Sequence, residues 1–426
     1  MIPGQVVIGS KALLVRSVIA AGVLCAGSSI VAHAQDGTAA PPPAPFSANW
    51  ASSVRLLFQG EAGIVGNTSD PRSQTNFGQL FTDKANRPVL NQVLFGVARD
   101  IDAKAAPGWD VGFKLQALYG SDARITHTLG VFDQLVHDRN QLDLLEANVT
   151  VRMPVFSGGL DVKAGIYPTP LGFETIDPRN SPFYTHSYIF NFGAPFKHTG
   201  VLATAHVSPV LDLVLGVDSG TNTGLAYGAG DNNNRPGGIA GIGLNLGKLT
   251  VLALTHMGPE NSKRNTPFAN DAMRYFNDVV LTYKATDRLS FTTELNYVRE
   301  DGFRAEGYGV AQYVSYALTD QWTLNGRGEV WRDNGNFFAS NPVGNRDYAN
   351  VQRGSFARLY TAARPTTYSA LTLGTTYKPN GLPARLGTVM LRPEIRYDRA
   401  LNGSRPFNDG TERGVVTLSG DVVLGF

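Results

Sequence analysis

The chain has 426 residues, with 37 Lys and Arg against 35 Asp and Glu, 47 glycines, 38 tyrosines and phenylalanines split 16 to 22, and a single cysteine. A net charge this close to zero argues against a nucleic-acid partner, and a lone Cys25 supports neither a disulfide framework nor a thiolate metal site. Beyond the N-terminal leader no segment approaches about 18 consecutive apolar residues, which excludes a transmembrane helix and leaves a soluble β-protein or a membrane β-barrel.

In chain order, Lys11 and Arg16 precede an apolar run from Ser17 to Val31 that ends in Ala32-His33-Ala34. This is the pattern of a secretory signal peptide (1–34) cleaved after Ala34. A membrane anchor is a poorer reading, because the run is short and interrupted by Gly and Ser, and Leu24 is too bulky before Cys25 for a lipoprotein. Cleavage would remove the only cysteine and also Lys11 and Arg16, leaving a formally neutral mature chain. Residues 35–48 form a Pro/Ala-rich leader expected to be disordered or extended. Residues 49–426 carry the fold.

From Trp50 onward the dominant period is two. Trp109, Val111, Phe113, Leu115, Ala117 and Tyr119 share one face, opposite Asp110, Gly112, Lys114 and Gln116. Sixteen such runs begin near 53, 89, 109, 142, 160, 199, 211, 239, 249, 273, 289, 307, 322, 367, 387 and 415. Short turns at Pro154–Gly159, Ser208-Pro209, Gly247-Lys248, Ala285–Arg288 and Thr319–Gln321 alternate with long loops near 61–88, 120–139, 168–197, 219–237, 257–272, 333–366 and 399–413. Short-long alternation predicts an all-β, antiparallel up-and-down transmembrane barrel of about 16 strands, its tight turns periplasmic and its long loops outside.

Aromatic side chains sort to both ends of the predicted outward faces. Trp109, Tyr283, Trp322, Tyr377 and Phe426 fall at the short-turn end, and Tyr119, Tyr275, Tyr297 and Tyr397 at the other. Two such girdles suit the headgroup levels of a bilayer, whereas a soluble sandwich has no reason to sort its aromatics in this way. A closed barrel satisfies every backbone group in lipid, and at this width it encloses water. Lys114, Glu146, Arg152, Lys163, Glu294, Arg327, Glu329, Arg392, Glu394 and Arg396 then face inward, away from a lipid that would penalise each basic one by about 2–4 kcal/mol at its midplane.

The stretch from Lys163 to Val207 stands apart, with about thirty residues rich in Pro, Gly and aromatics between two alternating segments. Loops of that length in a compact fold are usually functional or disordered. The segments Gly165 to Glu174 (GIYPTPLGFE), Asn180 to Gly200 (NSPFYTHSYIFNFGAPFKHTG), Gly216 to Gly220 (GVDSG) and Tyr316 to Asp333 (YALTDQWTLNGRGEVWRD) resemble the β-barrel porin-2 family of bacterial outer membranes. The resemblance spans nearly the whole mature chain and implies a porin-like outer-membrane channel. It brings no substrate and no catalytic or ligand residues. A chain ending in an alternating strand with a terminal Phe426 also resembles outer-membrane barrels, in which that strand is the signal read by the barrel-assembly machinery.

In the sixteen-strand count this stretch is the third long loop. General porins fold theirs into the lumen, an analogy of fold that does not itself establish function. The physical argument is separate: Phe183, Tyr184, Tyr188, Phe190, Phe192 and Phe196 would be sticky outside and are buried if the loop turns inward. In that case Glu174, Asp177, Arg179, His186, Lys197 and His198 are constriction candidates. A loop that only latches the barrel top or a subunit interface is the alternative. Opposite it, Arg327, Arg392 and Arg396, interleaved with Glu329 and Glu394, form either a selective charged wall or a ladder of cross-strand pairs. Charge reversal at Arg392 and Arg396 separates these readings, since only the first predicts a shift toward cations.

Other chemistry has little support. His186 with Ser181 or Ser187 lacks the flanking motif of a hydrolase. Asp231 to Asn234 lacks the glycine and bidentate glutamate of a calcium loop and reads as an exposed turn. The expectation is therefore a diffusion porin for small hydrophilic solutes and ions, needing no cofactor, set among outer-membrane lipid, not an enzyme, with a homotrimer left open. A substrate-specific channel for sugars or organic anions, and a receptor or adhesin acting through its outer loops, are the alternatives.

Overall fold

The computed structural model describes residues 50–425 apart from 102–107, 134–138, 226–229, 264–266, 269, 336, 341–363 and 383–386. The signal-peptide and leader expectations (1–34 and 35–48), Phe426 and His137 lie outside the described residues.

Alternating sequence becomes alternating strand. The strands are β1 (Arg55–Asn67), β2 (Pro88–Arg99), β3 (Asp110–Gly120), β4 (Gln141–Met153), β5 (Leu160–Pro168), β6 (Lys197–His206), β7 (Leu211–Thr221) and β8 (Gly237–Leu246). They continue as β9 (Leu249–Pro259), β10 (Met273–Lys284), β11 (Leu289–Glu300), β12 (Ala305–Ala317), β13 (Trp322–Asn334), β14 (Thr366–Tyr377), β15 (Thr388–Leu391 with Glu394–Ala400) and β16 (Gly414–Gly425). Each start falls within two residues of its sequence expectation. Every strand pairs antiparallel with the next, and β1 pairs with β16 from Gln59 opposite Gly425 to Asn67 opposite Thr417, which closes the barrel at sixteen strands.

β15 is one strand with an interrupted ladder. Pro393 has no N–H to donate, yet its carbonyl still accepts from Thr375 N at 3.1 Å and Arg392 N still reaches Asp421 O at 3.2 Å. Side chains alternate straight through the break, with Met390, Arg392, Glu394, Arg396 and Asp398 buried and Leu391, Ile395 and Tyr397 exposed. The same division holds around the wall: Phe95, Leu115, Leu295, Leu371 and Leu418 face out, while Gln92, Gln116, Glu294, Thr372 and Ser419 face in. Trp109, Tyr283 and Trp322 are exposed at the short-turn end, where Trp322 stacks on Tyr377 at 4.4 Å between ring centroids. Tyr119, Tyr297 and Tyr397 are exposed at the other end.

Two expectations about connections are corrected. The strict short-long alternation fails once, because β11 and β12 are joined on the long-loop side only by 301–304. There Asp301 accepts from Arg304 N (3.4 Å) and caps a tight turn. The first long loop is also shorter than 61–88, since β1 continues to Asn67 and β2 begins at Pro88.

Candidate functional site: the third loop and the wall facing it

The Pro/aromatic segment between β5 and β6 lies against inward-facing side chains of strands on several sides of the barrel. Asp177 N-caps a short 3-10 turn, Pro178–Asn180, and a single wide π-helical turn follows at Ile189–Gly193. Neither element could persist alone. Their backbone polar groups are satisfied by the wall, as buried backbone requires.

Charged wall residues reach the loop backbone directly. Glu394 accepts from Tyr184 N (2.9 Å), Thr185 N (3.1 Å) and the Thr185 hydroxyl. Glu329 accepts from Tyr188 N (2.7 Å), Glu294 from Phe173 N (2.9 Å), and Asn296 donates to Gly193 O (3.0 Å). Arg327 donates to Thr185 O (2.9 Å) and Arg396 to His186 O (2.9 Å). At the loop tip, Arg392 donates to both Pro178 O and Ser181 O at 2.7 Å, and Gln92 donates to Ile176 O at 2.9 Å. The bonds made by the Glu and Arg side chains are charge-assisted and roughly twice as strong as the neutral ones from Asn296 and Gln92.

Rings fill the space between these bonds. Tyr188 packs between Tyr368 (5.1 Å, 21°) and Trp331 (6.4 Å, 5°), with the Arg396 guanidinium over its face. Arg327 lies over Phe183 at 5.0 Å. Phe81 of the first long loop packs on Phe190 and Phe196, while Leu80 N donates to the Asn191 side chain. Tyr184 lies over Gly63, where a Cβ would come within 2.5 Å of its ring, so only glycine on β1 allows the loop this close. The aromatic faces of Phe183, Tyr184, Tyr188, Phe190, Phe192 and Phe196 are thus spent on protein.

Glu174 is the central knot. It accepts from Arg327 (2.7 Å), the Tyr313 hydroxyl (2.9 Å) and Ser187 N, and pairs with His186 Nδ1 at 2.6 Å. Burial alone would raise its pKa, but Arg327 and the His186 hydrogen bond prevail and hold it at about 2.

The sequence candidates therefore divide. Glu174 and His186 are buried in the knot. Lys197 is wholly buried, its ammonium bonded to Asp143 at 2.6 Å and Leu144 O at 2.9 Å, and His198 is wholly buried beside Asp218. Only Asp177 and Arg179, paired at 2.6 Å, keep about a third of their side-chain surface exposed (32% and 34%). Of the wall charges, Arg327, Arg392 and Arg396 are each 1% exposed and Glu329 and Glu394 are also buried, so these five do not present an open charged face. Arg392 pairs with Asp421 and with Glu61 (3.1 Å), Arg396 with Asp398 (2.7 Å) and Glu329 (3.2 Å). They are pairs, and their spare donors and acceptors hold the loop.

Across the lumen the wall is open. A cavity of about 310 Å³ is lined by Lys114, Glu146, Thr150, Asp161, Lys163 and their neighbours on β2 to β6. A second, of about 520 Å³, lies at the short-turn end beside Arg152, His206 and Asp212. Lys114 pairs with Glu146 at 2.8 Å yet stays one-third exposed, Arg152 clamps Asp161 through two bonds of 2.6 Å, and Lys163 is half-buried.

The remaining motifs are absorbed locally. Asp231 Oδ1 accepts from Asn233 N and Asn234 N, both at 2.8 Å, so the Asp231 to Asn234 turn satisfies itself; it is buried in part, not the exposed turn expected. Ser187 Oγ accepts from Phe190 N and Ser181 Oγ faces Thr175, so neither hydroxyl is directed at His186. Sequence reasoning missed Asn91, which accepts from the Tyr184 hydroxyl at 2.9 Å, and Glu61, Tyr313, Asp398 and Asp421 as partners of the loop and its latches. Only their inward position on alternating strands marks them.

Comparison with known proteins agrees with this architecture. Residues 59–426 match the family described as "Putative beta-barrel porin-2, OmpL-like". A porin OmpF of Salmonella typhi aligns with a TM-score of 0.55 at 9% identity, over 88% of this chain and 97% of that one. An anion-selective porin from Comamonas acidovorans aligns at 0.54 and 9% identity (88% and 99%), and the outer-membrane channel DcaP of Acinetobacter baumannii at 0.53 and 13% (88% and 97%). These likenesses are of fold. No curated protein matches the chain in sequence. With the family matched over most of its length, the chain belongs to the β-barrel porin-2 family and is a bacterial outer-membrane porin barrel.

Proposed function

We propose that the protein is a passive channel through which small hydrophilic solutes and ions diffuse along the β2 to β6 side of the lumen, past a third loop that narrows it. The observation that carries this reading is the asymmetry of the interior. One wall is consumed by the loop, while the other keeps polar, water-sized space beside Lys114, Thr150 and Lys163. Asp177 and Arg179 form the exposed edge of the loop and are the constriction residues of this reading.

Nothing in this path requires a reaction. The signal peptide is removed after Ala34, residues 35–48 precede the barrel, and three copies assemble as in the trimeric form known for OmpT of Vibrio cholerae. Single-channel recording of the purified protein in planar bilayers tests the channel. Discrete conductance steps scaling with bulk salt support diffusion, and absence of steps refutes it. N-terminal sequencing of the membrane-inserted protein tests cleavage, and cross-linking in the native membrane tests trimerisation.

A further inference from the structure

His198 on β6, Asp218 on β7 and His256 on β9 meet on the inner face of the barrel, close to the outer-loop ends of their strands. One ligating atom from each lies within 4.8 Å of the other two. Asp218 Oδ1 is 3.0 Å from His256 Nε2, and Asp218 Oδ2 is 3.1 Å from His198 Nδ1. Both imidazoles are fully buried and Asp218 is 4% exposed.

Asp218 and His256 should not meet at all. β8 runs between their strands, and side chains two strands apart start roughly 9.5 Å from each other. Contact is possible because β8 places Gly237 opposite Asp218. A Cβ on Gly237 would sit 2.6 Å from Asp218 Oδ1 and 2.8 Å from His256 Nε2, the two atoms that face each other. The glycine leaves a cradle at the ligating atoms.

The far side of the His198 ring is held, and a carboxylate stands behind the His256 ring. His198 Nε2 lies 3.1 Å from Thr169 Oγ1, and His256 Nδ1 lies 3.8 Å from Glu260 Oε1. Glu260 is itself fixed by Thr221, through N (3.0 Å) and Oγ1 (2.7 Å), and Gly220 N donates to Asp218 Oδ1 at 2.8 Å. His198, with one nitrogen turned to the shared centre and the other bonded to an oxygen, is oriented as metal-binding histidines are, and His256 has Glu260 behind it at 3.8 Å.

We propose that His198, Asp218 and His256 bind a divalent transition-metal ion that ties β6, β7 and β9 together beneath the outer loops. Two imidazoles and one carboxylate suit zinc, cobalt or nickel, whereas calcium and magnesium prefer oxygen alone. Donors around a tetrahedral zinc lie roughly 3.3 Å apart, given metal–ligand bonds of about 2.0–2.1 Å. The two closest separations here, 3.0 and 3.1 Å, need only small movements to reach that. Glu260 lies 3.8 Å behind His256 and would close on it when the metal is bound, so its loss should weaken binding about 10- to 100-fold.

The site is closed, so the ion enters as the barrel folds. The test refolds the full chain with Zn²⁺ or Co²⁺, or with chelator, followed by desalting, metal analysis and thermal melting. The expected result is one tightly held zinc per chain, visible d–d bands with cobalt, and a higher melting temperature with metal than with chelator. His206→Ala, at a histidine on the far, short-turn end of the same strand, should keep the metal, and the conservative Glu260→Gln should hold it more weakly. A wild-type barrel that folds equally well in chelator and retains no zinc overturns the proposal and leaves a hydrogen-bonded His–Asp–His cluster. So does retention of one zinc by the His198→Asn/His256→Asn double variant. Should the double variant fail to fold, the wild-type stoichiometry and cobalt spectrum decide alone. None of these outcomes depends on whether the barrel conducts.

Discussion

Replacing Arg392 with methionine removes a charge but keeps most of the side chain's length. Its guanidinium donates to Pro178 O and Ser181 O at 2.7 Å each, and on its other side pairs with Asp421 and Glu61. Hydrogen bonds to charged groups contribute about 1.5–3 kcal/mol apiece. The two loop bonds therefore hold the tip by roughly 3–6 kcal/mol, or about two to four powers of ten in its docked-to-released ratio. Glu394, Glu329 and Arg327 still anchor the loop above, so release is confined to the tip around 176–181. Single-channel currents of wild type and Arg392→Met, recorded across a salt gradient, should show a larger or flickering conductance in the variant. The reversal potential should hardly move, because only 1% of Arg392 is exposed. The opposite result, unchanged conductance and noise with a clear shift toward cations, would place this guanidinium in the permeation path and refute the reasoning.

Lys163→Glu should do what Arg392→Met does not. A two-charge change about 8 Å from a passing ion in water amounts to about 1 kcal/mol, roughly a fivefold bias toward monovalent cations at low salt, read as a shift in reversal potential. Gly63→Val places side-chain atoms where the Tyr184 ring lies, an overpacking cost of about 1–3 kcal/mol that should appear as a lower unfolding temperature in detergent. Acid titration tests the Glu174 knot. Its folded pKa of about 2 lies below the ordinary 4.5, so its contribution is complete above pH 4.5 and lost as the pH falls from there toward 2. The part of loop release that depends on Glu174, read as the difference between wild type and Glu174→Gln in channel noise or tryptophan fluorescence, should therefore develop in that acid window.

The barrel was legible because strand period and lipid-facing chemistry are local properties. Trp109 to Tyr119 announces its two faces without reference to any other residue. The four-residue link at 301–304 was harder to see, since regular strand spacing on either side implies a long loop that the chain does not need. Loop 168–197 was recognisable as something to be buried, but its partners were not. Glu394 meets Tyr184 across 210 positions, and no local pattern encodes such a contact. Lys197 and His198 looked like pore groups because they are polar and inward, yet they sit at the start of β6, beneath neighbouring strands and loops. Burial there depends on the third dimension. Gly237 was the one available sign of the His–Asp–His cluster, and a glycine in a glycine-rich barrel does not announce itself.

The Glu61–Arg392–Asp421 group has a consequence for the order of events during folding. These residues come from β1, β15 and β16, on both sides of the seam where the first strand meets the last. Arg392 can complete its pairs, and so present two ordered donors to Pro178 and Ser181, only after that seam has zipped. The loop tip is consequently among the last parts to settle, since it docks on a surface that does not exist until the cylinder is whole. A barrel caught with its seam ajar would be a wide, leaky intermediate, and maturation would register as a fall in leak.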